Sequence, residues 1–235
     1  MASSGKKTAL VTGGNGGIGS AICEGLLGSG FKVFLAARDK EKGQTAVDQL
    51  SKQGEIELVQ LDIADDDSIQ AAVSQVSQIT DSLDALINNA GIYPDEGVDM
   101  LTVSRDLLSH AMNTNTFSPI TLTQAFVPLL EKSGSPRVIN MSSGNGQLEG
   151  ISANVPSYSL SKMALNGASI LLSRALKPKN IAVYVMGPGW VRTSMGGESA
   201  PRSPKEGADT AVWLATEGTM EQSGKFFRDR TEQPF

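Results

Sequence analysis

Tyr158 and Lys162 are the two residues of this chain whose types and spacing point most directly to chemistry. Side chains four residues apart share one face of a helix. A phenol has an ordinary pKa near ~10, too high for easy proton transfer at neutral pH. A nearby ammonium favours the phenolate and lowers that pKa, so the pair can act as a general acid and base. Because many solvated helices carry the same spacing, the interpretation depends on the rest of the chain.

A glycine-rich turn near the start of the chain supplies supporting context. Residues 8–12 form a short apolar run typical of a buried strand, and residues 20–27 follow a helical pattern. Between them, residues 13–19 contain five glycines with the spacing Thr-Gly-x3-Gly-x-Gly. In such a turn, backbone amides and the helix N-terminus bind a pyrophosphate. The glycines alone are also compatible with a plain flexible turn, but the flanking strand and helix favour a dinucleotide site.

Length and composition limit the possible functions. The 235 residues suit one α/β domain, and 40% hydrophobic with 19% charged residues is ordinary for a globular protein. A net charge of −5 argues against binding to nucleic acid or to a membrane surface. No stretch approaches the roughly 18 apolar residues of a spanning helix, and residues 1–7 lack the apolar core of a signal peptide. We therefore expect a cytoplasmic protein.

The counts of cysteine and histidine exclude two kinds of site. Cys23 is the only cysteine, so the chain has no internal disulfide and no thiolate metal cluster. His110 is the only histidine, which excludes a multi-histidine metal site, and no metal is predicted. A Ser-His-Asp triad would have to use His110, whose apolar neighbours favour an ordinary helix position instead.

Strand-like and helical patterns alternate along the whole chain, without an internal repeat or a linker. This alternation predicts right-handed βαβ units in a single α/β domain over residues 1–235. The expected architecture is a Rossmann-type doubly wound parallel sheet of about seven strands with helices on both faces. After residues 8–12, the predicted strands are 32–37, 56–61, 83–87, 137–141, 181–186 and a weak 224–227; predicted helices include 41–50, 68–79 and 205–215.

Two irregular segments follow successive predicted strands. Residues 144–157 have little periodicity, and residues 190–204 are rich in Gly, Ser and Pro, as in a mobile flap. Open α/β sheets bind ligands outside the carboxyl ends of their strands. These two loops therefore predict a substrate cleft.

Six segments share their order and spacing with a known family: residues 12–19, 88–91, 115, 142–143, 158 with 162, and 188–193. Together they resemble the short-chain dehydrogenase/reductase family over essentially the whole chain. Residues 36–39 and 188–195 most resemble its carbonyl reductase branch.

The resemblance implies a role for four catalytic residues. Tyr158 would give a proton to a carbonyl oxygen or take one from an alcohol, and Lys162 would lower its pKa and bind the nicotinamide ribose. Ser143 would hold the substrate oxygen, and Asn115 would secure a water that links Lys162 to solvent. Ser142 is the rival of Ser143, but alternating strand geometry turns only one of them toward the carbonyl, and alignment favours Ser143.

Asn113 is likewise an alternative candidate to Asn115, and the helix that follows favours Asn115.

The resemblance also implies which residues contact the cofactor. Tyr158 and Lys162 belong to this set as well. The set comprises Gly13, Asn15, Gly16, Gly17, Ile18, Gly19, Arg38, Asp62, Ile63, Asn89, Ala90, Gly91, Pro188, Gly189, Val191 and Thr193. Asp62 could equally be a simple cap at a strand end.

The preferred dinucleotide depends on the charge after the second strand. An NAD site places an acid there, whereas this chain has Ala37 followed by Arg38. The guanidinium can pair with a 2′-phosphate, helped by Asn15, while Asp39 is interpreted as a helix cap. We therefore predict NADP(H). Many NADP-dependent relatives carry a second basic residue where this chain has Gly16, so the discrimination is expected to be modest.

The expected reaction is NADPH-dependent reduction of hydrophobic aldehydes or ketones to alcohols, and the reverse oxidation. Trp190 is predicted to wall the substrate pocket, in which Ser143 and Tyr158 also bind substrate. One alternative is a 3-oxoacyl-thioester reductase, which a basic docking patch from Arg192, Arg202 and Lys205 would favour. Another is a non-catalytic cofactor-sensing protein. Many members of the family pair the helices that correspond to residues 115–130 and 158–176, so the resemblance implies a homodimer or homotetramer.

Overall fold

A computed structural model describes residues 5–149 and 151–235; residues 1–4 and Gly150, which lies in the first predicted loop, fall outside it. The strands are β1 Thr8–Thr12, β2 Lys32–Ala37, β3 Ile56–Gln60, β4 Ala85–Asn88, β5 Arg137–Met141, β6 Ala182–Met186, β7 Phe226–Arg228 and β8 Thr231–Gln233. The α-helices are α1 Gly17–Gly28, α2 Lys40–Leu50, α3 Asp66–Ser77, α4 Arg105–Met112, α5 Ser118–Leu130, α6 Pro156–Leu176 and α7 Pro204–Glu217.

Within the described residues, all eight strands form one sheet in the order β3-β2-β1-β4-β5-β6-β7-β8. The ladders from β3 to β7 are parallel, and only β8 is antiparallel to its neighbour. Strand β1 pairs with both β2 and β4, so the strand order reverses there. Open sheets bind ligands at such a switch point, outside the carboxyl ends of the strands.

Helices cover both faces of the sheet because successive strand side chains point to opposite sides. In β1, Ala9 and Val11 pack into the core beneath α1, α2 and α7. Leu10 packs into the second core, which contains residues of α3, α5 and the end of α6. Every residue of β1, β5 and β6 is buried, which explains why these strands read as continuous runs rather than as alternating ones.

The predicted Rossmann-type fold is confirmed, with two corrections. The last strand, β8, was not predicted: it is three polar residues long, and its hairpin turn at Asp229 and Arg230 has positive φ without a glycine or asparagine to signal it. The loop predicted over 144–157 ends earlier, because α6 already begins at Pro156, a residue favoured in a first helical turn.

Smaller boundary differences leave the architecture unchanged. The fourth strand begins at Ala85 rather than at residue 83, and the cap predicted for α2 is present: Lys42 N donates to Asp39 Oδ1 at 3.0 Å. Among residues 5–149 and 151–235, no helix combines the length and the apolarity needed to cross a membrane.

Candidate active site

A cleft of about 1120 Å³ opens at the carboxyl ends of β1, β4, β5 and β6. It runs from the glycine-rich turn after β1 to the segment after β6, with Tyr158 and Lys162 of α6 on its wall. This is the place where the topology predicts a ligand.

The glycine-rich turn is shaped so that only glycines fit at its key positions. Gly13 and Gly17 have φ values of +63° and +52°, which L side chains rarely adopt. A Cβ on Gly19 would lie 2.1 Å from the Gly13 carbonyl oxygen, so α1 packs directly against the turn. A Cβ on Gly16, by contrast, would meet no described atom within 4 Å. The turn thus presents open backbone at the start of α1, which is the cradle that a pyrophosphate requires.

Asn89 ties the end of β4 to this turn. Its side-chain Nδ2 donates to the Thr12 carbonyl oxygen at 2.8 Å, while its backbone N–H donates to Thr12 Oγ1 at 2.9 Å. The Ala90 N–H donates to the same hydroxyl at 2.9 Å. Two neighbouring strand ends are therefore held in register where the cleft floor is formed.

The far end of the cleft carries charges of both signs: Arg38, Lys40 and Lys42 lie beside Asp39, Glu41 and Asp62. Arg38 is exposed and makes no hydrogen bond or ion pair within the described residues. The Asp39 carboxylate is occupied by capping α2, and it lies 3.9 Å from the Lys42 ammonium. Lys40, Glu41 and Lys42 also line the cleft, and none of the three was predicted to do so. The charge at the end of β2 thus favours a phosphate over a ribose hydroxyl pair.

Tyr158 and Lys162 lie on the buried face of α6 and both line the cleft. The Lys162 Nζ lies 5.7 Å from the centroid of the Tyr158 ring. The same Nζ donates to the carbonyl oxygen of Met141, the last residue of β5, at 2.7 Å. A Cβ on Gly91 would lie 3.0 Å from Asn115 Oδ1 and 3.6 Å from this Nζ, so Gly91 packs closely against the Asn115 side chain.

The two adjacent serines after β5 have separate partners. Ser142 is buried, and its Oγ donates to Asn166 Oδ1 at 2.6 Å. The Ser143 Oγ instead accepts from Asn145 N at 3.2 Å, and the Ser143 side chain lies near enough to the Tyr158 hydroxyl to lower the pKa of that phenol. Ser142 lines the cleft, whereas Ser143 is not among the residues that line it.

Asn115 lies in a π-turn, Asn113–Phe117, inserted between α4 and α5. Such turns are frequent at functional sites. Asn115 is fully buried: its Oδ1 accepts from Ile92 N at 2.8 Å, and its Nδ2 donates to Ser161 Oγ at 3.0 Å. Its rival Asn113 is exposed. The structure therefore places Asn115, and not Asn113, against α6, one turn from the tyrosine.

Burial dominates the proton equilibria of the pair. It raises the pKa of Tyr158 above the ordinary 10.0, while the hydrogen bond from Ser143 opposes that rise. Burial also lowers the pKa of Lys162 from 10.5 to about 8. The expectation that Lys162 lowers the tyrosine pKa is not met in this structure, because the ammonium is directed to the Met141 carbonyl. Tyr158 is accordingly held as a neutral phenol, the form that donates a proton.

Thr193 belongs to the segment after β6 and approaches the glycine-rich turn. Its Cγ2 lies 3.0 Å from the position of a Cβ on Gly17. Val191 is buried, whereas Trp190 is 57% exposed and its indole N–H donates to the Gly196 carbonyl at 2.8 Å. This loop, without helix or strand from Trp190 to Ser203, closes on itself through the Arg192 N–H and the Arg202 carbonyl, 2.9 Å apart.

Most of the chain carries the sequence signature of a known family. Residues 7–204 match the sequence model described as short chain dehydrogenase. The chain belongs to the short-chain dehydrogenase family. Short-chain dehydrogenase anuI of Penicillium roqueforti is 36% identical, with 97% of this chain and 96% of that protein covered.

Carbonyl reductases are also among the short-chain dehydrogenases that this chain resembles. NADPH carbonyl reductase 1 of Mus musculus is 33% identical, with 99% of this chain and 100% of that protein covered. The NADPH-bound carbonyl reductase from chicken fatty liver has a TM-score of 0.90 and 28% identity, covering 98% and 99% of the two chains. The predicted likeness to the carbonyl reductase branch is confirmed.

For this short-chain dehydrogenase, most predicted cofactor contacts converge on one cleft, but Gly189 and Val191 are not in its described lining. Trp190 and Asn115 are not in that lining either. His110 of α4, interpreted as an ordinary helix residue, is exposed and lines the cleft. The predicted residues that do line it are Gly13, Asn15, Gly16, Gly17, Ile18, Gly19, Arg38, Asp62, Ile63, Asn89, Ala90, Gly91, Tyr158, Lys162, Pro188 and Thr193.

Asp62 combines its two alternative interpretations. Its Oδ1 accepts from the Ala64 N–H at 3.0 Å, which is a local cap, and the residue also lines the cleft. Tyr93 was missed: its ring packs edge-on against that of Tyr158, with centroids 4.8 Å apart and planes at 72°. No local sequence signal marks this contact, because the two tyrosines are far apart in the chain.

Proposed function

We propose that this short-chain dehydrogenase reduces the carbonyl group of aldehydes or ketones with NADPH, and catalyses the reverse oxidation of alcohols. The observation that carries the proposal is the convergence of Tyr158, Lys162 and the glycine-rich turn on one cleft. The similar proteins described as NADPH carbonyl reductases support the choice of substrate class.

The residues of the cleft fit a dinucleotide. The start of α1, with positive-φ glycines and no side chain at Gly16, suits a pyrophosphate, and Arg38 suits a 2′-phosphate. Residues 89–91 would line the adenosine side of the dinucleotide. Thr193, which lies beside the glycine-rich turn, would bind the dinucleotide there. When bound, the reduced nicotinamide supplies a hydride to the carbonyl carbon.

The protein's part of the reaction is to hold the substrate oxygen and move a proton to it. Ser143 would donate a hydrogen bond to the carbonyl oxygen and stabilise the negative charge that develops there. Tyr158, held neutral by burial, would donate its hydroxyl proton to that oxygen. The Lys162 ammonium, 5.7 Å from the centroid of the Tyr158 ring, would bind the nicotinamide ribose. Asn115 would position a water from which the tyrosine recovers its proton.

We place the substrate side of the cleft at the loops after β5 and β6, from which Ser142, Pro188 and residues 193–195 line the cleft. Leu148, Ile151 and Met195 are exposed apolar side chains on these loops. Trp190, whose indole is oriented by Gly196, would form part of the wall. An apolar rim favours hydrophobic carbonyl compounds over sugars or charged acids.

The alternative substrate, a 3-oxoacyl group on an acidic carrier protein, has fewer observations in its favour. Docking of such a carrier requires free positive charge near the cleft. Arg192 donates to the carbonyls of Ala200 and Pro201, and Arg202 is bound to Asp229, so two of the three candidate cations are engaged within the chain.

The test is a panel of hydrophobic aldehydes, ketones and a 3-oxoacyl thioester, assayed with NADPH and with NADH by loss of nicotinamide absorbance. We expect turnover of small carbonyl compounds with a preference for NADPH. Turnover of the thioester alone would replace the proposal with the alternative. NADPH binding without turnover of any member would favour a cofactor-sensing protein.

We also propose that two or four copies assemble through α5 and α6. The outer sides of these helices and of the preceding π-turn expose Phe117, Leu160 and Leu171, which are 51%, 37% and 67% exposed. Pairing across a two-fold axis would bury this apolar surface. Light scattering should give a dimer or tetramer that Leu171→Asp dissociates, whereas a monomeric wild type would contradict the assembly.

A further inference from the structure

The fully buried acid Asp95 contacts the helix that carries the reactive pair, yet it belongs to none of the motifs described above. It makes no ion pair within residues 5–149 and 151–235. A carboxylate without a cation is rarely buried unless hydrogen bonds replace its hydration. Its location therefore requires a structural or functional reason.

The partner of Asp95 is the N-terminus of α6. That helix begins after Val155, whose side chain offers no acceptor for the free N–H groups of the first turn. Asp95 replaces the missing cap from 62 residues away: its Oδ2 accepts from Ser157 N at 2.6 Å and from Tyr158 N at 3.3 Å. The helix dipole favours this negative charge. The reactive tyrosine thus has its own backbone N–H bound by Asp95.

Neighbouring contacts from the same loop hold the helix start on its other sides. The Val98 carbonyl accepts from Val155 N at 3.1 Å, and Val155 has φ 53° and ψ 50°, a left-handed conformation unusual for a β-branched residue. Tyr93 packs edge-on against the Tyr158 ring. Several contacts from the loop therefore hold the strained backbone of Val155 in place. Strained backbone that is held in this way is common at functional sites.

We propose that Asp95 is a positioning residue: its carboxylate fixes the first turn of α6 and so places the Tyr158 hydroxyl for proton transfer. The inference rests on the proposed function of Tyr158. Misplacement of a reacting group by about 1 Å can lower a rate by about 100-fold. A shift of the helix start should therefore lower kcat while leaving unchanged the cofactor contacts outside α6, which lie in the segments that follow β1, β2, β3, β4 and β6.

Three substitutions separate positioning from charge. Asp95→Asn keeps an acceptor oxygen in place, Asp95→Glu keeps the charge but displaces the oxygens by one methylene, and Asp95→Ala removes the cap. We expect kcat to fall less than about threefold for Asn, about tenfold for Glu and about 10- to 100-fold for Ala. The KM for the carbonyl substrate and the Kd for NADPH should stay within about twofold of the wild-type values. Each protein is assayed at the same number of degrees below its own Tm.

A kcat order with Glu above Asn would assign the effect to charge and overturn the proposal, as would wild-type kcat in Asp95→Ala. If the alanine variant does not fold, the order of the other two still decides. Asp65→Ala is the matched control: Asp65 caps α3 by accepting from Asp67 N at 3.0 Å and Ser68 N at 3.4 Å. It should lower Tm without lowering kcat.

Hydrogen exchange gives a readout that does not depend on turnover. The amides of Ser157 and Tyr158 should exchange at least about tenfold faster in Asp95→Ala than in the wild type. In Asp65→Ala their exchange rates should equal those of the wild type. Equal exchange rates in all three proteins would show that Asp95 does not fix the first turn of α6, and would overturn the proposal. If the wild type reduces no carbonyl compound, the proposed function fails, while faster exchange would still establish that Asp95 fixes the start of α6.

Discussion

The buried ammonium of Lys162 makes the stability of the cofactor-free protein depend on pH. Lys162 is 5% exposed, and burial lowers its pKa from 10.5 to about 8. Between pH 8 and pH 10.5, the unfolded chain binds a proton at this residue that the folded chain has lost. The free energy of unfolding therefore rises with pH across this window, because stability rises wherever the unfolded state binds more protons.

The size of the effect follows from the two pKa values. One pKa unit corresponds to about 1.4 kcal/mol, so the full shift corresponds to about 3 kcal/mol. Of this, about 2 kcal/mol is recovered between pH 7 and pH 9.5. Lys162→Met removes the titrating group and keeps a similar apolar stem. From pH 7 to pH 9.5, the stability of the wild type relative to this variant should increase by about 2 kcal/mol.

Urea unfolding of both proteins at several pH values measures this difference, provided that the m-values agree. The comparison cancels the titration of groups that both proteins share. Lys132→Met, at an exposed position, is the control and should show no such trend. A difference between wild type and Lys162→Met that stays constant within about 0.5 kcal/mol would refute the burial argument.

The remaining predictions concern the cofactor and the two serines. Arg38→Asp should lower the ratio of kcat/KM for NADPH over NADH by about 100-fold, since a charge-assisted phosphate contact becomes a repulsion; unchanged kinetics with both cofactors would contradict the assignment. Gly16→Arg should raise that ratio by about tenfold, because the site is open and a second cation gains a phosphate contact; an unchanged ratio would argue against a 2′-phosphate there. Ser143→Ala should lower kcat by about 100-fold or more. Ser142→Ala should retain kcat but lose about 1–3 kcal/mol of stability, because the buried Asn166 Oδ1 loses its hydrogen-bond donor; equal kcat losses in the two variants would contradict the separate roles.

The parts of the molecule that follow local rules could be predicted from the sequence. Strand β1, the glycine-rich turn and α1 carry their signals within a few residues, and Tyr158 and Lys162 are one helical turn apart. Strand alternation predicts that only one of the two adjacent serines faces the substrate, and alignment favours Ser143. In the structure the Ser142 Oγ donates to Asn166 Oδ1 instead.

The parts that depend on distant contacts could not be predicted. Asp95 and Tyr93 meet α6 only after the chain has folded, and neither has a sequence pattern that differs from an ordinary loop. The direction of the Tyr158 pKa shift was also missed, because spacing places Lys162 near the phenol but cannot show that its ammonium is directed to the Met141 carbonyl. Burial, which decides that shift, is a property of the assembled fold.

The most direct test of the account is the turnover of Tyr158→Phe with a carbonyl substrate of the wild type. The substitution removes one oxygen from a residue that is 8% exposed and leaves the ring in place. Tyr184→Phe is the matched control, because the Tyr184 hydroxyl donates to the Thr219 carbonyl away from the cleft. We predict that Tyr158→Phe binds NADPH like the wild type but loses at least about 100-fold in kcat, while the control keeps its activity. Turnover by Tyr158→Phe within tenfold of the wild type would contradict the assignment of this hydroxyl as the proton donor.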